Sequence, residues 1–266
     1  MTTEAPPPLP DRVEHALEDG VLVLRLVNEG RANALTDRML DGLTRVLDGP
    51  EAKSARVALV TGDGDRHFSS GAELGQDAPD EWVERIKRIE HGLAGVAAAV
   101  TKARFPVIAV LNGDAIGGGL ELAMACDWRI ARDGIRLAMP PARLGLVYTA
   151  EGMRRFTSEI GIARTREIFL TGRPFDALHG LDIGLLNHVV AADELWPLAK
   201  RMAAAVAANA PLAVEGMRVV LRAIGDDDSP DGRAQQWRVR AFGSGDLAEG
   251  LAAARERRPP DFTGGS

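Results

Sequence analysis

Apolar positions in the first two thirds of the chain fall into short runs rather than one long stretch. GVLVLRLV (20–27), ARVALVTG (55–62), FPVIAVLNG (105–113) and DWRIAR (127–132) are rich in Val, Ile and Leu and bounded by turn residues, which is the pattern of strands. Between the first two, LTDRMLDGLTRVLD (35–48) places Leu35, Met39, Leu43, Val46 and Leu47 at helical spacing, with Thr36 positioned as an N-cap. A longer amphipathic helix is expected over 80–103. Strands alternating with helices predict an α/β fold.

From about residue 195 the strand signal fades. LWPLAKRMAAAVAANAPLAVEGMRVVLRAI (195–224) reads as two helices divided near Pro211, followed by an acidic loop, GDDDSPDG (225–232), and two further helical stretches. In the last of these, Asp246 is expected to cap the helix and Glu249 to complete a capping box. No fixed-period repeat stands out. The opening MTTEAPPPLPDRVEH has no basic segment leading into an apolar one, so no secretory signal is expected, and its prolines predict a disordered tail.

Composition narrows the partners. A formal net charge of −6 argues against a sequence-independent nucleic-acid binder, which would neutralise phosphates with Lys and Arg. The most apolar region, 107–126, is interrupted by Asn112, Asp114, the glycine run 117–119 and Glu121, too polar for a membrane span. The single cysteine, Cys126, lies in an apolar run and reads as a small buried hydrophobe; a cytoplasmic location is expected.

Candidate chemistry centres on NGDAIGGGLELAMACD (112–127). No Lys follows Gly119 as a P-loop would need, and the dinucleotide-binding glycine spacing is absent. A metal-binding HExxH, a paired-cysteine motif and a nucleophile elbow are absent too. What remains is a strand, a tight glycine turn and a helix starting near Gly118, whose unpaired N–H groups at the positive dipole end suit an oxyanion. Glu121, three residues on, shares a face with Gly118, and the dipole is expected to favour its ionised form. A first-turn glutamate also stabilises ordinary helices, so this stretch alone does not define a site. VTGDGDRHFSSGAELG (60–75) adds a second one: Gly71 can turn the chain and expose the N–H of Ala72, so that two backbone donors after separate strands converge on one oxygen.

These segments resemble the crotonase superfamily, the enoyl-CoA hydratase/isomerase family. NALT (33–36), HFSSGAEL (67–74), NGDAIGGGLELAMACD, LTGRPFDALHGLDIGLLNHVV (170–190) and EGLAAARERRPPDFTG (249–264) match in order and spacing over almost the whole chain from about residue 20. The resemblance implies a crotonase-like spiral of ββα units over 13–195, after a tail over 1–12, and a helical C-terminal oligomerisation region over 196–266 that packs homotrimers or hexamers. It further implies an acyl-CoA substrate, with coenzyme A entering only as part of that substrate and no separate cofactor or metal. By position, the N–H groups of Ala72 and Gly118 would form the oxyanion hole and Glu121 would be a catalytic acid/base. Ser70, Ala72, Leu74 and Gly118 would bind the CoA substrate, with Ser70 in the segment that lies along its adenine, and Arg257 and Arg258 would lie near its phosphates.

One departure matters. Hydratases of the family carry a second glutamate twenty positions after the first, and this chain has Pro141 there, in LAMPPARLGLVYTAEG (137–152). Proline can neither give nor take a proton. Glu73, Glu151 and Tyr148, the only tyrosine, are the substitutes the sequence offers. The same run is similar to the methylmalonyl-CoA decarboxylase branch, although that branch has a histidine where this chain has Ala72. Hydration of an enoyl-CoA is the leading expectation. Decarboxylation of a malonyl-type thioester, and a catalytically idle CoA-binding or assembly subunit, stay open beside it.

Overall fold

The computed structural model describes residues 11–73, 79–225 and 230–264. The tail expected over 1–12 therefore lies outside the described residues except at its end, where Arg12 already opens a strand. That strand, β1 (Arg12–Glu18), pairs antiparallel with β2 (Val21–Val27) through a two-residue turn at Asp19 and Gly20, both with positive φ, 49° and 76°. Asp-Gly is the dipeptide whose twist suits a hairpin. The pattern reading missed β1 because RVEHALE lies at the sheet edge with mostly exposed side chains, and no apolar alternation marks it.

The chain continues through α1 (Asp37–Leu47), α2 (Pro50–Ser54), β3 (Val57–Gly62), β4 (His67–Ser69) and α3 (Pro79–Lys102). It then passes β5 (Val107–Leu111), β6 (Asp114–Ile116), α4 (Gly118–Ala125), β7 (Trp128–Arg132), β8 (Arg136–Ala138) and α5 (Ala150–Thr171). After β9 (Phe175–Asp176), α6 (Ala177–Asp182) and β10 (His188–Val190) come α7 (Leu195–Ala207), α8 (Pro211–Gly225), α9 (Pro230–Phe242) and α10 (Gly245–Glu256). A six-stranded sheet runs β1-β2-β3-β5-β7-β10, and a four-stranded one β4-β6-β8-β9. Each of β3-β4-α3, β5-β6-α4 and β7-β8-α5 thus places one strand in the large sheet, a short one in the small sheet, and then a helix. This is a ββα spiral. Its repeat is faint in the sequence because the second strand of each unit is only three residues long.

β3 and β5 are buried along their whole length, which is why they read as continuous apolar runs. The period-two alternation of side chains divides them between two cores. Ala58, Val60, Val107, Ala109 and Leu111 join the main core with α1, α3 and Phe68. Val57, Leu59, Ile108, Val110 and Ile130 face Leu195, Ala199 and Ala203 of α7. The helical run that opens at Leu195 therefore begins by covering one face of the large sheet. Further on, buried Arg218 of α8 donates to Asp127 at 2.8 Å and to the carbonyls of Val100 and Ala103, pinning α8 against the end of α3 and the start of β5, where Asp127 also accepts from the Val107 N–H.

Two local expectations meet different outcomes. Thr36 does cap α1, its hydroxyl oxygen accepting from the Met39 N–H at 3.2 Å. The capping box on α10 does not form: Ser244 holds the N-cap position, and the buried Asp246 carboxylate instead accepts from the Thr263 and Gly264 N–H groups. Glu249 bonds Arg258 and the Asp261 N–H. Both carboxylates fasten the chain that follows α10, because that segment folds back over the helix, which no local spacing reveals.

Candidate active site

The NALT segment sets the first wall. Asn33, in the left-handed region with φ 52°, donates to the carbonyls of Asp63 and His67 at 2.9 Å each, clamping the loop that leads into β4. Leu35 donates to the Gly71 carbonyl at 2.7 Å and accepts from the Glu73 N–H at 3.0 Å. In an extended segment successive peptide groups point to opposite sides, so when both neighbours face Leu35 the Ala72 N–H faces away from it. Gly71, φ 93°, makes the bend that brings Ala72 there.

The second wall is the start of α4. Gly118 is its first residue, so its N–H has no intrahelical acceptor; the first such bond is Glu121 N–H to the Gly117 carbonyl at 3.0 Å. Glycine at 119 permits close approach to the end of β4, since a methyl there would stand 2.5 Å from the Ser69 carbonyl oxygen. The two walls touch: a methyl at Gly118 would stand 3.6 Å from the Ala72 nitrogen, and one at Gly71 would stand 3.2 Å from the Gly118 nitrogen. Both loops border a cleft of about 120 Å³, whose other sides are Ile86, Ile89, Glu90 and Leu93 of α3 and the run from Pro140 to Tyr148.

Glu121 is 5% exposed. Tyr148 donates its hydroxyl to Oε2, and Arg155 Nη1 donates to Oε1 at 2.8 Å. Burial raises the proton affinity of the carboxyl above the usual range; the Tyr148 bond and the Arg155 charge oppose the rise without cancelling it. Burial thus works against the ionised form that the helix start was expected to favour. Burial and the adjacent Glu121 hold the Tyr148 phenol well above its ordinary range in turn. Tyr148 lines the cleft, whereas Glu121 stands behind it.

The remaining expected residues are sorted by the fold. Ser70 borders the cleft and donates to the Arg31 carbonyl at 3.3 Å, while Leu74 lies outside the described residues. Glu73 pairs with Arg31 at 3.1 Å, and the exposed Glu151 pairs with Arg155 at 2.6 Å; neither borders the cleft. Pro141 does, as a buried residue of a tight 3-10 turn. Arg258 is engaged by Glu249 and Glu256, and Arg257 closes α10 in the left-handed region. Sequence reasoning missed Arg155 and Glu90. Nothing local links Arg155 to Glu121, but Glu90 had a signal: it is a charge on the α3 face that carries Ile86, Ile89 and Leu93.

A ββα spiral with two strand-to-turn segments meeting over a buried carboxyl defines a protein of the crotonase fold. The model of the enoyl-CoA hydratase/isomerase family matches residues 16–265, and the chain belongs to that family. It is 32% identical to carnitinyl-CoA dehydratase of Proteus mirabilis, over 94% of this chain and 98% of that one. It is also 35% identical to Bacillus subtilis YngF, which bears a provisional enoyl-CoA hydratase/isomerase name, over 88% and 90% of the two chains. Among solved structures, an enoyl-CoA hydratase from Bacillus anthracis superposes with a TM-score of 0.86 at 28% identity, covering 95% of this chain and 99% of that one.

Proposed function

We propose that the chain adds water across the double bond of an enoyl-CoA thioester. The N–H groups of Ala72 and Gly118 hold the thioester oxygen as charge develops on it, each such donor contributing on the order of 10²–10³ in rate. Tyr148, backed by Glu121, carries the proton exchanged at the carbon next to the thioester, and Arg155 orients Glu121. No metal or redox cofactor takes part; coenzyme A enters as the handle of the substrate. The observation that supports this reading is the meeting of the two backbone segments beside the Tyr148–Glu121 pair at one apolar cleft.

A second reading, loss of CO2 from a malonyl-type thioester, is supported by Pro141 and Tyr148. Decarboxylation forms the enolate without a base and leaves one proton to deliver. Assaying the purified chain with crotonyl-CoA and with methylmalonyl-CoA separates the two. Hydration is expected, with Glu121→Gln lowering turnover by ~10²–10⁴; turnover of methylmalonyl-CoA alone replaces hydration by decarboxylation, and no turnover of either leaves a CoA binder. The chain is further proposed to form a homotrimer or hexamer, supported by exposed Met217 and Leu221 on α8 and Val239 and Phe242 on α9, and measurable by sedimentation.

A further inference from the structure

Glu90 lies about one turn into the part of α3 that borders the cleft, beside Ile86, Ile89 and Leu93. Its side chain is half-buried, and among the described residues its carboxylate has no hydrogen-bond or ion-pair partner. Its charge nevertheless reaches both Glu121 and Tyr148, raising the proton affinity of each. Polar groups that line apolar clefts ordinarily find a hydrogen-bond or charge partner, and Glu90 stands out at this wall for lacking one. The other carboxylates nearby have partners: Glu121 and Glu151 share Arg155, and Asp37 of α1 pairs with Arg88 of α3.

From this placement we infer that Glu90 is the second proton-transfer group of the hydration proposed above, taking over from α3 the task that Pro141 cannot perform. The inference rests on that hydration reading. As the oxygen of a water molecule bonds to the carbon two positions from the thioester, one of its O–H protons passes to the Glu90 carboxylate. The electron pair of the C=C bond moves into the enolate, whose oxygen is held by the Ala72 and Gly118 N–H groups. The enolate then takes a proton at its α-carbon from the Tyr148 hydroxyl. The proton gained at Glu90 and the one lost from the Tyr148–Glu121 pair are exchanged with solvent between turnovers, so the sum is the addition of one water.

The test compares wild type, Glu90→Gln and Glu90→Asp on crotonyl-CoA across pH, with a thermal melt of each. Because Glu90 bonds nothing among the described residues, Glu90→Gln should melt no lower than wild type. It is expected to lower kcat by ~10²–10⁴ with KM almost unchanged. The pH profile of kcat/KM should change in Glu90→Gln and return toward the wild-type profile in Glu90→Asp, which should also recover part of the rate. Turnover by Glu90→Gln within about twofold of wild type, or a loss confined to KM, overturns the assignment while leaving hydration intact. A wild type that does not hydrate crotonyl-CoA overturns both.

Discussion

Gly152 offers the most direct probe of the Tyr148–Glu121 pair. It is the third residue of α5, and its N–H bonds the Thr149 hydroxyl that caps the helix at 3.0 Å. A methyl there would stand 2.7 and 2.9 Å from two carbons of the Tyr148 ring and 3.0 Å from Glu121 Oε1. Carbon atoms in contact settle at about 3.5–4.0 Å, so the ring must withdraw by roughly 1 Å. Alanine favours the helix over glycine by about 0.5–1 kcal/mol, and overpacking costs about 1–3 kcal/mol, which leaves a net loss of about 0–2.5 kcal/mol. The chemistry is more exposed than the fold. A displacement of about 1 Å at a reacting group costs ~10²-fold in rate, near 2.7 kcal/mol of barrier. Gly152→Ala should therefore remain folded in a urea titration while kcat on crotonyl-CoA, followed by loss of the enoyl thioester absorbance, falls about a hundredfold. Gly161→Ala is the control: its φ of 75° strains an alanine, but no atom lies within 4 Å of the added methyl, so it should lose stability and keep kcat. A Gly152→Ala variant with wild-type kcat would refute the placement of Tyr148 and Glu121 at the reacting carbon.

Two further outcomes follow from charge and burial away from the cleft. Glu249 is held at about 2 by Arg258 and the Asp261 N–H, below the ordinary 4.5. Its contribution to stability is complete above the ordinary value and lost as pH falls toward the lower one, so Tm should decline over that interval, and less steeply in Glu249→Gln; parallel declines would count against the tether at the end of α10. Burial pushes the Cys126 thiol up to about 12. A thiol reagent at about pH 8 should leave the folded protein unlabelled and react only as urea unfolds it, whereas rapid labelling of the native form would contradict the packing of α4.

Much of the scaffold was legible because its signals are local. The central strands are buried on both faces and read as apolar runs, and α1 is announced by its spacing and by Thr36. The segments bearing Ala72 and Gly118 could be named because a bend at Gly71 and a bare helix start at Gly118 are properties of a few adjacent residues. Elements whose stability comes from elsewhere were silent: β1 leans on β2, and the short strands β4, β6 and β8 are fixed by one another across the small sheet.

The alternation of elements, the family and the two glycine-bearing segments are written along the chain as period, turn chemistry and motif order. Which groups share the cleft depends on how the elements pack. That packing set Tyr148 in front of Glu121, brought Arg155 from α5 to hold it, sent Glu73 and Glu151 to pair with arginines outside, and turned Glu90 inward from α3. The physical reason is that proton affinity and charge pairing depend on burial and on neighbours dozens of residues away, and those are fixed when the helices pack over the sheets.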